Sequence, residues 1–289
     1  MANTVTYAQI YETALQSRLN RPQNWKEVTD VVYSDTRTIN SSYESTQPAI
    51  TTVTQGTGFV IQDFVQTNDT LTISTSRDLA TFSDLSDLGQ SPWTKGAEQF
   101  QRIGSRLNEF IESNFLANHA SWTDFGNSDI GGAGSSTTAI TVSASNVDDI
   151  TRGIRREIRE ANGQSLMNER GACIVWRAAD FEFLEAFVQA NGFMTADAAL
   201  KEGTVEGIKH LGVYHYWSND HTANHLFAGV KKVERRGILR STYGKAHTID
   251  FPAGSSNNNL SGVAWYSRVD VGVLTPRGHS GIVFDVNVS

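Results

Sequence analysis

The spacing of apolar residues changes several times along the chain, and each change predicts an element. Tyr7, Ile10, Tyr11, Ala14 and Leu15 recur at helical spacing until Pro22 ends the pattern, so residues 1 to about 32 read as a short, partly helical arm. From Val31 to Ser76 the chain turns to Thr, Ser and β-branched residues. Alternation in GFVIQDFVQ and in TLTIST, around turn residues Asn68 and Asp69, predicts hairpin strands. The stretch from Asn40 to Asp78 has few large apolar residues for its length, and an isolated two-stranded ribbon is marginal in water. Limbs of ~16 residues at ~3.3 Å each would reach about 50 Å, against a radius of gyration of roughly 19 Å for a compact chain of this length. The reading is an arm that reaches a neighbouring molecule; the alternative is a hairpin folded onto its own sheet.

The clearest helix follows SDLSDLGQSP, with Ser91 as cap and Pro92 at the first position, and runs to about His119. Trp93, Ala97, Phe100, Ile103, Leu107, Phe110, Ile111 and Phe115 fall on one face, and Glu98, Arg102, Arg106, Glu109 and Glu112 on the other. Gly96 and Gly104 lie near the apolar face, where they would permit close backbone approach. GNSDIGGAGSS, from Gly126 to Ser136, reads as a flexible joint and the best internal boundary. Beyond it the pattern is α/β: a strand TTAITVS, a helix from Val147 to Ala161, a buried strand ACIVW, and a helix from Ala179 to Ala190 closed by Asn191 and Gly192. Strands at Gly212 to Trp217 and Leu226 to Val230 come next. The chain closes on β-segments Gly262 to Thr275 and Gly281 to Val288 around a PRGHSG turn.

Composition narrows the class. The 289 residues are 39% hydrophobic and 19% charged, which suits a folded globular chain of one enlarged or two domains. The longest apolar runs fall far short of the roughly 20 residues that cross a bilayer, and no signal-like segment opens the chain, so neither export by a signal nor a membrane partner is expected. A net charge of -7 argues against seeking nucleic acid through a large positive field. Arg outnumbers Lys 17 to 7, and Arg is favoured at protein interfaces. Cys173, the single cysteine, sits in an apolar run and reads as packing rather than as a reactive thiol.

No set of residues converges on catalysis, so an enzyme is not expected, and neither is a cofactor. His210, His215, His221 and His225 cluster, and His221 and His225 would share a face of a helix. Asn219, Asp220, Thr222 and Asn224 make a polar loop the better reading, without a metal. GGAGSS lacks the ending of a phosphate loop, and GHSG lacks nucleophile-elbow spacing. The carboxylates of VDDI and SDLSDL sit where helix starts and turns favour Asp. Arg152, Arg155, Arg156 and Arg159 are more informative: their spacing makes a basic stripe opposite Val147, Ile150, Ile154 and Ile158. One reading is a solvated face partly neutralised by Asp148; the functional reading is a subunit interface.

The order of parts, carried by TINSSYES, DTLTIS, DLSDLGQSP, NVDDITRGIRREIREANG through CIVWRAADFEFLEAFVQANG, and VAWYSRVDVGVLTPRGHSGIVFDVNV, resembles the major capsid proteins of tailed double-stranded DNA bacteriophages, the Hong Kong 97 fold. The resemblance implies an α+β chain. Residues 1–32 would be an N-terminal arm, 38–78 an extended loop, 79–135 a peripheral domain with a spine helix at about 91–119, 136–244 an α/β axial domain, and 245–289 returning strands of the peripheral domain. It also implies self-assembly through hexamers and pentamers into an icosahedral shell, in a virion assembled in the host cytoplasm. Partners would be a separate scaffolding protein, a portal protein, a decoration or cement protein, and packaged double-stranded DNA held non-specifically. Some members join a loop lysine to a neighbour's asparagine; no lysine occurs from Asn40 to Asp78, so a shell without covalent links is expected. Encapsulin-like compartments share the fold, and a β-rich decoration or carbohydrate-binding module would account for the six tryptophans but not for the long helix.

Overall fold

The computed structural model describes residues 23–44, 50, 66–84, 95–190, 208–251 and 262–289. The helical pattern at 7–15, the GFVIQDFVQ strand up to Val65, the Ser91–Pro92 cap, Trp93 and the Asn191–Gly192 closure lie outside these residues. Thirteen described strands, β1 to β13, form two sheets and a ribbon.

The five-stranded sheet is organised by β12 (Gly262–Leu274), whose alternating Trp265, Ser267, Val269 and Val271 turn inward. Along one edge it pairs with β4 (Thr75–Asp84). Along the other it pairs with β11 (Ala246–Phe251) and then β10 (Arg235–Leu239), which pairs in turn with β1 (Asp30–Ser34) in parallel. The six-stranded sheet runs in the order β5 (Thr123–Phe125), β13 (Val283–Asn287), β9 (His225–Val230), β6 (Ala172–Trp176), β8 (Val213–Trp217), β7 (Ile208–His210). β6 is buried at every position, which explains why ACIVW shows no alternation.

Helices complete the layers. α1 (Trp25–Val28) is a single turn. α2 (Lys95–Leu116) is about 33 Å long at ~1.5 Å per residue. Its Ile103, Leu107 and Ile111 join the core of the five-stranded sheet, whereas Phe115 and Leu116 enter that of the six-stranded sheet. One helix thus carries two cores, and a 3₁₀ segment, Ala117–Ser121, ends it. α3 (Val147–Glu160) buries Val147, Ile150, Ile154 and Ile158 against the six-stranded sheet, where α4 (Gln164–Arg170) and α5 (Ala178–Ala190) also pack. Each such Ile contributes about 1.5–3 kcal/mol of burial. No described helix is long and apolar enough to cross a membrane.

The ribbon pairs β2 (Thr38–Glu44) with β3 (Gln66–Thr72) in antiparallel register from Thr38↔Thr72 to Glu44↔Gln66. Its root lies against the five-stranded sheet: a Cβ on Gly237 would meet Leu71 Cδ2 at 2.7 Å, and one on Gly272 would meet the Thr72 carbonyl. Both glycines are therefore required by close approach.

Several expectations need correction. Asn68 and Asp69 are inside β3, opposite Ser42 and Ser41, and the break comes at Ile73–Ser74. Glu109 and Glu112 are buried, Glu112 beneath the chain at Trp25, whose backbone N–H donates to it, and Glu109 paired with Arg106 of its own helix. Gly104 faces open space, so no close approach needs it. TTAITVS makes only the bridge Ile140↔Val288. Residues 126–136 are not a loose joint: Asn127 N–H donates to Thr138 O at 2.8 Å, Gly126 N–H to Asp129 Oδ2 at 2.8 Å and Asn127 Nδ2 to Ala133 O at 2.8 Å. Sheet membership also crosses the expected boundaries. β10, read with the α/β unit, lies in the five-stranded sheet, while β5 and β13 lie in the six-stranded one, since Pro276 and the 3₁₀ segment Arg277–Ile282 redirect the chain between β12 and β13.

Candidate interaction surface

The basic stripe is on the outer face of α3, and the four arginines differ in their partners. Arg152 reaches Asp148 Oδ2 at 2.5 Å, one turn earlier, so this part of the stripe is neutralised within its own helix. Arg156 donates to Asp129 O at 2.7 Å and to Glu157 at 2.9 Å, and Arg159 to Gln164 Oε1 at 3.0 Å. Arg155 is half-buried, and its Nε has no hydrogen-bond partner among the described residues. Burial, followed by the charge of Arg159, holds its guanidinium below the usual arginine range.

Arg155 opens on a cleft of about 320 Å³ that also involves Arg170, Lys209, Leu211 and Tyr214. These come from α3, α4 and the β7–β8 hairpin, so no local sequence signal joined them. The hairpin turns on Leu211 (φ 50) and Gly212 (φ 80), a two-residue turn that usually takes Asn-Gly. Leu211 is exposed in a strained left-handed conformation beside a basic cleft. Glu169 also lines the cleft and stands 3.6 Å from Arg170, so among the described residues Arg155 and Lys209 are its unmatched cations beside the exposed Leu211.

The clustered histidines do not converge. His215 is fully buried; its Nδ1 accepts from Trp176 Nε1 at 2.9 Å, and burial pushes it down to about 3, so it stays neutral. His210 pairs with Asp148 at 2.8 Å. His221 lies in the loop before β9 and His225 starts that strand, so the shared helical face does not exist. His225 instead meets two residues distant in sequence. Its Nδ1 is 2.8 Å from Asp285 Oδ2, His119 Nδ1 is 3.5 Å from the same oxygen, and the two rings stack 3.8 Å apart. Cys173 is buried with its thiol pushed up to about 12 by desolvation, as an unreactive packing residue should be.

Where the two cores meet, a polar network is sealed inside. Glu112 Oε2 accepts from the Trp25 backbone N–H at 2.8 Å, and Asn24 Nδ2 donates to Trp217 O at 2.8 Å. Glu234 accepts from Asn118 and Thr275, both at 2.8 Å. Arg236 lies over the Phe115 ring, fully buried, and desolvation brings it down to about 10. Desolvation pushes Glu112 up to about 7 and raises Glu234 as well.

No protein-family model matches the sequence, and no curated protein sequence matches it. Solved structures do match over nearly the whole length. A chain of Mycobacterium phage Che8 superposes with a TM-score of 0.69 at 14% identity, covering 99% of this chain and 98% of its own. A chain from the asymmetric unit of the bacteriophage PhiM1 mature capsid gives 0.65 at 16%, covering 98% and 92%. The capsid of a native GTA particle gives 0.64 at 12%, covering 99% and 96%. The protein therefore has the mixed α+β fold of these phage and particle capsid chains, from its first described strand to its last.

Proposed function

We propose that this chain is the major capsid protein of a tailed double-stranded DNA phage, with the Hong Kong 97 fold, and that it closes into an icosahedral shell by self-assembly. The observation that carries this reading is superposition on capsid chains over 98–99% of the length, at similar chain lengths. The five-stranded sheet with α2 as spine is the peripheral domain, and the six-stranded sheet with α3, α4 and α5 is the axial domain. Sheet membership supports moving β10 into the peripheral domain, and β5 and β13 into the axial one. β2 and β3 are the base of the extended loop, and the described part of the expected arm, from Trp25 on, belongs to the body, with Trp25 and Val28 buried and β1 in the five-stranded sheet.

The basic face of α3 and its cleft are the interface between neighbours in a hexamer or pentamer, with Arg155 and Arg159 meeting acidic groups of the next subunit. A scaffolding protein, a portal and packaged DNA are the further partners in the virion, and a decoration protein is a fourth. Electron microscopy of the purified protein tests the reading: closed shells are expected, and monodisperse small particles would overturn it. DNA inside mature particles separates a virus from a cargo-enclosing compartment. Arg155→Glu with Arg159→Glu should leave a folded subunit that fails to assemble; normal shells from that variant would remove these residues from the interface.

A further inference from the structure

We propose that His119, His225 and Asp285 bind one divalent transition-metal ion, with Zn²⁺ the best fit. The three side chains come from separate, well-anchored elements: the 3₁₀ segment after α2, the first residue of β9, and the middle of β13. β9 and β13 are paired, with Asn287 opposite His225 and Phe227 opposite Asp285, so strand register fixes two of the ligands. One ligand atom from each residue lies within 4.8 Å of the others.

The carboxylate carries a second, independent indication. Asp285 is 3% exposed, and while its Oδ2 faces both imidazoles, its Oδ1 is buried without a hydrogen-bond partner among the described residues. An unsatisfied carboxylate oxygen in an apolar strand is costly. Asp124 sits opposite Asp285 on β5, adding negative charge beside the cluster. A cation between the two histidines and Asp285 would offset both costs.

Geometry and donor type select the ion. Zn²⁺ takes imidazole and carboxylate at ~2.0–2.2 Å, which puts neighbouring ligand atoms of a tetrahedral site about 3.3 Å apart. His119 Nδ1 and Asp285 Oδ2 stand 3.5 Å apart already. His225 Nδ1 and the same oxygen stand at 2.8 Å and need to part by about half an ångström, with the histidine rings turning off their stack. Two nitrogen donors disfavour Ca²⁺ and Mg²⁺, which prefer all-oxygen shells. The His119 and His225 side chains are 24% and 26% exposed, so water can reach the fourth position. Such an ion would pin the end of α2 to the six-stranded sheet.

The test uses untagged, chelator-treated full-length subunit, titrated with ZnCl₂ by calorimetry and with Co²⁺ followed by its visible tetrahedral bands. One equivalent of Zn²⁺ should bind at micromolar or tighter affinity and raise the thermal midpoint by several degrees, an increase that chelator reverses. His119→Ala and His225→Ala should each weaken binding by at least about tenfold and abolish the Co²⁺ bands. Asp285→Asn should do the same, but as Asp285 is buried the more exposed histidines carry the test. His247→Ala, on exposed β11, should bind as the parent does. Absence of stoichiometric binding, or binding that survives loss of both His119 and His225, would overturn the proposal and leave a hydrogen-bonded His–Asp–His cluster. The readouts need no assembly, so failure here is separable from failure of the capsid reading.

Discussion

The six-stranded sheet and the β2–β3 ribbon use the same strand geometry and hold opposite contents. β6 reads ACIVW and is buried throughout; β2 reads TINSSYE and β3 QTNDTLT, with Asp69 and Leu71 the buried members of β3. The sheet finds its stability inside the chain, from α3, α5 and its own neighbours. The ribbon is held by what lies beside it: Leu71 and Ile73 pack on the five-stranded sheet, Arg277 and Arg235 reach Asp69 and Ser41, and Tyr43 lies close to Gly278. The difference teaches that a strand pair with no apolar face of its own persists through what it leans on, here β10 and β12 at one end.

The most direct way to break this comparison is from the sheet side. Ile174, fully buried in the middle of β6, lies between Ala228 of β9 and His215 of β8. Ile174→Ala should destabilise the free subunit by about 2–5 kcal/mol, through lost burial and the cavity left behind. Urea unfolding of subunits measures it. A loss below about 1 kcal/mol would mean that the sheet is not the stability centre described here.

A polar group sealed between the cores sharpens the contrast, since most of the ribbon's polar groups, Asp69 excepted, stay in water and Glu112 does not. Its folded value near 7 exceeds the 4.5 it returns to on unfolding. Between those values the folded chain keeps a proton that the unfolded chain releases, so stability falls as pH rises through the window. Below 4.5 the contribution is fully retained; above about 7 it is lost, at a cost on the order of 3 kcal/mol. Glu112→Gln, which mimics the protonated side chain and keeps an acceptor for the Trp25 N–H, should remove this pH dependence. Unfolding midpoints of the two proteins from pH 4 to 8 should diverge as pH rises. A constant difference across the range would show that Glu112 does not titrate there.

How far the sequence foretold this follows the range of the physics. Residues whose environment is set by their own helix or strand are legible: Ile150, Ile154 and Ile158 on α3, Cys173 in β6, and the apolar face of α2 at Ile103, Leu107, Ile111 and Phe115. Glu112 was placed in solvent because helical periodicity knows one helix and nothing of Trp25, 87 positions away, which covers it. That β12 and β13 lie in different sheets could not be read, because alternation within a strand says which face is buried but not against which neighbour. The stripe of Arg152 to Arg159 could be read because it is periodic. That the Arg155 Nε has no hydrogen-bond partner among the described residues, while Asp148, Asp129 and Gln164 meet the other three arginines, depends on neighbours some of which lie outside the helix, and the cleft depends on Lys209 and Arg170 from other elements. His225 stood out only in the local histidine cluster, and nothing in the sequence joined it to His119 and Asp285, since their meeting is a product of sheet order.

The smallest expected effect lies in the ribbon, and it depends on the capsid reading for its second half. Thr70 and Asn40 are cross-strand partners, joined by Thr70 Oγ1 donating to Asn40 Oδ1 at 3.0 Å on an exposed face. Thr70→Ala should change free-subunit stability by less than about 0.5 kcal/mol, because both groups are hydrated before and after. Hydrogen exchange extends the point along the ribbon. In free subunits Ile73, whose N–H donates to Arg37 O at 2.8 Å beside the buried root, should be protected, while protection fades towards Gln66 and Glu44. In shells a neighbour's surface takes the place of the missing core, and protection should extend to that far end. Equal protection from Ile73 to Gln66 in free subunits would show that the ribbon holds itself, and no gain on assembly would show that it does not reach a neighbour.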